Sequence, residues 1–204
     1  MPDRVIVYID GFNLYYGLRE KRWKWAYWLD LKKLAGALLK KRQTLVHTHY
    51  FTAVLKSPDD KRRRQATYLD ALATLKDVSI HYGHYLADTI TCRNCDHHYV
   101  THHEKMTDVN IAVQLMTDAF QDRFDSAIVV SADSDLVSPV RAVCALFPAK
   151  RVVVAFPPER ASSELKKQAS GYVNIGRAAL VKSLLPDPVV KANGHPLKRP
   201  AEWR

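Results

Sequence analysis

Four aspartates and one asparagine are the residues of this sequence whose type and spacing could support catalysis. Asp10 and Asn13 follow one short apolar run, and Asp133 and Asp135 follow another, whereas Asp108 opens a pattern typical of a helix. Carboxylates held close together repel one another unless a cation lies between them, and Mg²⁺ or Mn²⁺ prefers such oxygen ligands. The sequence therefore predicts a divalent-metal site suited to phosphodiester hydrolysis by a metal-activated water.

Each aspartate also has an ordinary structural interpretation. Asp108 suits the positive end of a helix dipole, and the other three could cap the helices that follow them. The carboxyl ends of strands in a doubly wound sheet form the site edge, however, so the four acids are expected to converge there. Two neighbours would assist them, since Asn13 could donate to the scissile phosphate and Ser131 could orient a carboxylate.

Strands and helices alternate along the chain, which predicts an α/β fold with a central, mostly parallel sheet flanked by helices. Residues 5–9 form a continuous apolar run, as expected of a strand buried on both faces, and a second short strand is predicted at 126–130. Further strands are predicted at 44–55, 78–86, 151–156 and, at an edge, 172–175. Helices are predicted at 30–41, 60–75, 107–120, from 136 to about 147, and at 163–168 and 177–185.

One domain is predicted over residues 1–185, with an irregular Cys/His-rich insertion at 87–103 and a disordered, basic, proline-containing tail at 186–204. The insertion holds a Cys-x-x-Cys pair that could bind structural zinc together with two nearby histidines. Its spacing matches no standard zinc finger, so a reduced exposed loop and a redox pair remain alternatives. The candidate ligands are Cys92, Cys95, His97 and His102, with His98 and His103 as further imidazoles.

Positive charge is concentrated in the first third of the chain. Residues 1–64 hold 15 Lys/Arg against 6 Asp/Glu, whereas the other 140 residues hold 16 against 15. Residues 14–28 also alternate aromatic and basic side chains, a mixture that suits single-stranded nucleic acid, although a solvated face is the alternative. The candidate nucleic-acid contacts are Arg19, Arg22, Lys24, Lys61, Arg62, Arg63 and Arg64.

The amino-acid composition indicates the cellular compartment in which the protein is expected. The chain has no run of 18 apolar residues, so no membrane span is expected. An odd and low count of three cysteines argues against a disulfide framework. We therefore expect a cytoplasmic protein, and the sequence leaves the oligomeric state open, a homodimer being compatible with it.

Three motifs resemble the NYN-domain proteins, in particular their bacterial LabA-like group. They are VYIDGFNLYYGL, EKMTDVNIAVQLMTDA and AIVVSADSDLVSPV, which occur in the family's order. The resemblance covers about residues 4–185 and implies a three-layer PIN-like fold and a Mg²⁺- or Mn²⁺-dependent ribonuclease. It places the family's acidic site on Asp10, Asp108 and Asp133, with Asp135 as a fourth acid and Asn13 shaping the motif. Ala132 departs from the family pattern, where glycine is common.

Two other classes of function compete with the nuclease. A non-catalytic RNA-binding or regulatory module could retain the acidic pocket, and charge and aromatic content suit it equally well. A binder gains nothing, however, from repelling carboxylates beside a polyanion. A small-molecule enzyme could use the same pocket, although no glycine-rich phosphate loop such as GxGxxG is present.

Overall fold

Nine strands and seven α-helices make up the described part of the chain. The computed structural model describes residues 2–91, 95 and 98–204, excepting the side chains of 84–91 and 98–105. The strands are β1 (Asp3–Asp10), β2 (Gln43–Ala53), β3 (Val78–Thr91), β4 (His98–Lys105), β5 (Ser126–Val130), β6 (Arg151–Phe156), β7 (Gly171–Asn174), β8 (Val189–Val190) and β9 (Pro196–Leu197). The helices are α1 (Gly11–Glu20), α2 (Leu31–Ala37), α3 (Asp59–Leu72), α4 (Thr107–Phe120), α5 (Val137–Leu146), α6 (Ser163–Gln168) and α7 (Arg177–Lys182).

One seven-stranded sheet organises the molecule, in the order β4-β3-β2-β1-β5-β6-β7. Six neighbouring strands run parallel, and β4 pairs antiparallel with β3 at one edge. The helices pack on both faces of this sheet, so the expected three-layer α/β architecture is confirmed. Among the described residues, no helix has the length and apolar character needed to span a membrane.

Strand β1 lies at the centre of the sheet and is buried on both faces. Val5, Val7 and Ile9 point into a core built with α1, α2, α3 and α7. Ile6 and Tyr8 point into the opposite core, built with α4, α5 and α6. Each of these five side chains is 2% exposed or less. An apolar run without alternation is therefore what a strand between two helical layers requires.

Two glycines let α1 lie close to the backbone at the carboxyl edge of the sheet. A Cβ added at Gly11 would lie 2.7 Å from the carbonyl oxygen of Phe51, at the end of β2. A Cβ at Gly17 would overlap the carbonyl oxygen of Pro158, in the loop after β6. Because backbone atoms cannot move aside as a flexible side chain can, α1 reaches both contacts only with glycine at these positions.

The segment predicted to be irregular at 87–103 is largely a β-hairpin. Strand β3 continues to Thr91, five residues beyond the predicted end, and β4 pairs with it from His84↔Lys105 to Thr91↔His98. The prediction is wrong because these strands are rich in threonine and histidine, and hydrophobic periodicity gives no signal for such polar strands. Cys92 and His97 lie outside the described residues.

The tail at 186–204 is ordered, which corrects the prediction of disorder. Strands β8 and β9 form a small hairpin whose Val189 and Leu197 are 5% and 7% exposed. Near the C-terminus, the ring of Trp203 lies 6.4 Å from the buried ring of Trp28. Composition predicted disorder because the tail is rich in proline and charge, but its apolar residues dock onto an apolar surface that the rest of the domain provides.

A buried polar cluster joins α4 to the sheet. Asp118 is fully buried and accepts hydrogen bonds from the Tyr8 hydroxyl at 2.8 Å and from Gln114 at 2.9 Å. The Nε2 atom of His49 lies 3.3 Å from the same carboxylate. On its other side, Nδ1 of His49 lies 2.9 Å from Nε2 of His81. A chain of polar contacts thus runs from the helix through β2 to β3.

The cluster shifts the pKa of several of its members. Burial lowers the pKa of His47 and of His81, and the neighbouring His49 lowers both further. Burial by itself would raise the pKa of Asp118, but its hydrogen bonds, led by the one from His49, outweigh that effect and hold it below its ordinary value. The folded protein therefore favours the neutral forms of His47 and His81 and the ionised form of Asp118.

Stability is expected to fall as the pH is lowered from 7 to 5. His47 and His81 have a lower pKa in the folded state, so below about pH 6.5 the unfolded chain binds more protons and is favoured. The measurement is thermal unfolding at pH 7, 6 and 5, with His47→Gln as the comparison. The difference between the two proteins should grow as the pH falls, and parallel curves would contradict the assignment.

Candidate metal centre

The predicted acids come together because of how the strands and α4 are arranged. Strands β1 and β5 are parallel neighbours, so Asp10 and the residues leading to Asp133 leave the sheet at the same edge. Helix α4 brings Asp108 to this edge in its first turn. The residue before the helix, Met106, has a φ of 78°, an uncommon conformation that turns the chain from β4 into α4.

Three carboxylates form a group of oxygen donors. Asp10, Asp108 and Asp133 each offer one oxygen, and these oxygens lie within 4.8 Å of one another. Asp10 is 4% exposed, and the other two are half-buried. The group contains no thiolate or imidazole, and a small set of carboxylates open to solvent suits Mg²⁺ or Mn²⁺. The residues present therefore fit the metal that the sequence predicts.

Ser131 and Asn13 link the junction of β1 and α1, which carries Asp10, to the loop after β5, which carries Asp133. The Ser131 hydroxyl donates to Oδ2 of Asp10 at 2.8 Å and accepts from the Asp133 N–H at 3.0 Å. The Asn13 N–H donates to Oδ1 of Asp10 at 2.9 Å, and its side-chain oxygen accepts from the Ala132 N–H at 3.0 Å. Asp10 therefore caps α1 and belongs to the acidic group at once, so the two interpretations are not exclusive.

Asp135 lies apart from the three acids. A short 3₁₀ helix, Ser134–Leu136, follows Asp133, and the Asp135 N–H donates to Oδ1 of Asp133 at 3.0 Å. This turn leaves the Asp135 side chain exposed, and within the described part of the chain it is not among the oxygens of the 4.8 Å group. Its predicted role as a fourth ligand therefore has no direct geometric support.

The four consecutive basic residues Lys61–Arg64 lie in the first two turns of helix α3, which follows β2 at the same edge of the sheet. Arg62 and Arg64 each pair with an aspartate about one turn earlier, at 3.0 Å and 2.7 Å, and Arg64 also lies 2.9 Å from Glu202 of the tail. Lys61 and Arg63 are exposed and make no ion pair with the described residues. These two cations are therefore the better placed to contact a phosphate.

The aromatic–basic segment divides between core and surface. Trp28 is fully buried, and its indole N–H donates to the carbonyl oxygen of Pro186 at 2.9 Å. Trp23 and Trp25 are half-buried, whereas Tyr16 is 41% exposed. Part of the aromatic content is thus structural, and the remainder faces solvent. The three predicted cations of this segment are also exposed: Arg19, Arg22 and Lys24.

The zinc prediction rests mostly on residues that the structure does not describe. Cys92, His97 and the side chain of His102 lie outside the described part of the chain, and Cys95 is an exposed, free thiol. Structural zinc in this segment remains a prediction.

Two arginines absent from the sequence prediction lie at the same edge as the acids. Arg160 follows β6 and Arg177 follows β7. Each lies within a few residues of a strand end, which is the signal that could have identified them. Neither belongs to a charge run, so composition did not single them out.

Comparison with known proteins places this chain among others of the same architecture. Residues 4–176 match the model of a family described as the NYN domain. A curated relative from Pseudomonas putida, 6-hydroxy-3-succinoylpyridine 3-monooxygenase, is 28% identical over 179 aligned positions. That alignment covers 70% of this chain, and the chain spans 56% of the relative's length.

A solved structure shows the same fold. It is a protein of unknown function from Vibrio parahaemolyticus, with a TM-score of 0.58 and 20% sequence identity. The match covers 90% of this chain and 97% of the other. At this level of identity the likeness concerns the fold alone.

Proposed function

The chain belongs to the NYN domain family, and on that premise we propose that it is a Mg²⁺- or Mn²⁺-dependent ribonuclease. The family is one of PIN-like nucleases. The observation that carries the proposal is the group of three carboxylates at the carboxyl edge of β1 and β5, whose oxygens lie within 4.8 Å of one another. The motifs further suggest the LabA-like group, and the low cysteine count suggests the cytoplasm.

The chain's own residues would divide the work at this site. Asp10, Asp108 and Asp133 would hold the ion, which when bound supplies an activated water and offsets negative charge on the phosphate. Ser131 holds Asp10 and the Asp133 backbone in a fixed relation through its two hydrogen bonds, so the ligands are positioned before substrate arrives. The side-chain oxygen of Asn13 accepts from the Ala132 N–H and so holds the loop after β5. The side-chain nitrogen of Asn13 would donate to the phosphate.

A small-molecule enzyme is the second candidate function, and a specific observation favours it. The Pseudomonas putida relative is named as a monooxygenase of a substituted pyridine, and 70% of this chain aligns with it. This chain spans only 56% of that relative, so part of the relative has no counterpart here. On this alternative, the acidic group would serve a different substrate and RNA would not be cleaved.

Metal removal is the experiment that tests the proposal. Purified protein is expected to cleave labelled single-stranded RNA with Mn²⁺ or Mg²⁺ and to lose that activity in EDTA, because the carboxylates alone provide no activated water. Adding Mn²⁺ back should restore cleavage, and Asp10→Asn should not respond to it. RNA binding without cleavage under every metal condition would favour the non-catalytic RNA-binding module, and failure to bind RNA would favour the small-molecule enzyme.

A further inference from the structure

Charged residues follow five neighbouring strands at the carboxyl edge of the sheet, in a definite spatial order. Across β2-β1-β5-β6-β7, these are the basic run beginning at Lys61, then Asp10, Asp133, Arg160 and Arg177. Neighbouring strands lie about 4.8 Å apart, so the three steps from β1 to β7 span roughly 14 Å. The acidic group is therefore flanked by cations on both sides along one line.

Beside β6, the cation is combined with an exposed ring. The guanidinium of Arg160 lies 5.9 Å from the ring centroid of Tyr16, and that of Arg19 lies at the same distance. Gly17 allows this arrangement, because only glycine lets α1 approach the Pro158 carbonyl. Tyr16 is 41% exposed, so part of its ring remains open to a ligand.

Beside β7, a second group again combines aromatic rings with cations. The Arg177 guanidinium lies 5.5 Å from the ring of Trp25, which in turn lies 5.9 Å from the ring of Trp23. The ammonium of Lys21 lies 5.8 Å from Trp23. Both tryptophans pack partly on the core, so their rings are held in place while one side faces solvent. Arg177 is exposed and has no ion pair within the described part of the chain.

We propose that a single strand of RNA crosses this edge, with the cleaved phosphodiester at the acids and the adjacent nucleotides on the β6–β7 side. Bases would stack on Tyr16 and on the Trp23–Trp25 pair, while Arg177 contacts a phosphate. Arg160 pairs with Glu20, so its part is to hold the Tyr16 side of this surface in place. The inference rests on the proposed function and adds the surface that binds the substrate and the form of the substrate. Rings interleaved with cations suit unpaired bases.

A duplex is a poorer match to the same surface. Bases in an RNA helix stack on one another, and their faces are not available to protein rings. A duplex would leave the rings at β6 and β7 without a ligand and would use the cations alone. The interleaving of rings and guanidinium groups at two successive strands therefore argues for an unpaired strand.

The test compares two cations of the same helix. Arg177→Ala removes the cation at the start of α7, and Lys182→Ala removes one from its last turn, where Lys182 is exposed. Affinity for a fluorescently labelled single-stranded oligoribonucleotide is measured by anisotropy in EDTA at several salt concentrations. We expect Arg177→Ala to bind about tenfold more weakly, with the log–log salt slope reduced by about 0.7, and Lys182→Ala to match the wild type.

Two further measurements separate this surface from a general loss of charge. Tyr16→Ala removes no charge, so it should weaken binding about tenfold while leaving the salt slope unchanged. In the cleavage reaction with Mn²⁺, Arg177→Ala should raise KM with little change in kcat.

Failure of the inference and failure of the proposed function give different results. If the wild type cleaves RNA but Arg177→Ala and Tyr16→Ala both behave like Lys182→Ala, the ribonuclease stands and the β6–β7 surface is wrong. Preference for duplex over single-stranded RNA would likewise overturn the inference alone. If the wild type neither binds nor cleaves RNA, the proposed function fails and the inference fails with it.

Discussion

Replacing Asp133 with asparagine is expected to reduce metal-dependent RNA cleavage by about 10³-fold or more, because one of three charged ligands is lost. The fold should be kept, since an asparagine oxygen can still accept the Asp135 N–H that the aspartate accepts now. In EDTA the variant should be at least as stable as the wild type, because neutralising one carboxylate relieves repulsion within the group. Cleavage rates and thermal unfolding with and without Mn²⁺ measure the two effects.

Two isosteric variants serve as comparisons. Glu164→Gln neutralises an exposed acid in the first turn of α6 and should change neither activity nor the stabilisation by Mn²⁺. Asp135→Asn should lose at most about tenfold in activity, as expected of a residue that acts on the ligands indirectly. Wild-type cleavage by Asp133→Asn would refute the metal-site assignment, whereas a 10³-fold loss in Asp135→Asn would restore the fourth acid as a ligand.

Replacing Asp118 with alanine is expected to lower the free energy of unfolding by about 3–5 kcal/mol, because several buried donors would be left without an acceptor at about 1–3 kcal/mol each. The Tyr8 hydroxyl and Gln114 would lose the acceptor of their hydrogen bonds, and the His49 ring and the Arg123 guanidinium would lose the carboxylate beside them. For a domain of this size, such a loss corresponds to a fall in melting temperature of about 10 °C. Denaturant or thermal unfolding at pH 7 provides the measurement.

Asp118→Asn is the informative companion to this substitution. It keeps an acceptor for Tyr8 and nearly the same volume, so its loss of stability should be clearly smaller than that of the alanine variant. Equal stability of Asp118→Ala and the wild type would show that the polar cluster does not help to hold α4 on the sheet. Other contacts would then have to hold α4, and with it Asp108, in place on the sheet.

Local patterns in the sequence were sufficient to predict the central part of the fold. The uninterrupted apolar run of β1 required burial on both faces, and the helical spacing of residues 107–120 predicted α4 with the bounds it has. Because the carboxyl ends of parallel strands share one edge, Asp10 and Asp133 could be placed together before any coordinate was known. These features depend on hydrophobic periodicity and on the order of strands and helices along the chain, and both can be recognised in short stretches of sequence.

The tertiary structure alone decided which side chains meet. Among the described residues it left Asp135 outside the carboxylate group, placed the Ser131 hydroxyl between Asp10 and the Asp133 backbone, and ordered a tail whose composition predicted disorder. It also assembled the buried cluster around Asp118 and brought Arg177 to Trp25. Contacts of this kind join residues that are often more than one hundred positions apart, and they depend on side-chain direction and on the packing of whole elements. No local pattern contains that information, so only the folded chain determines it.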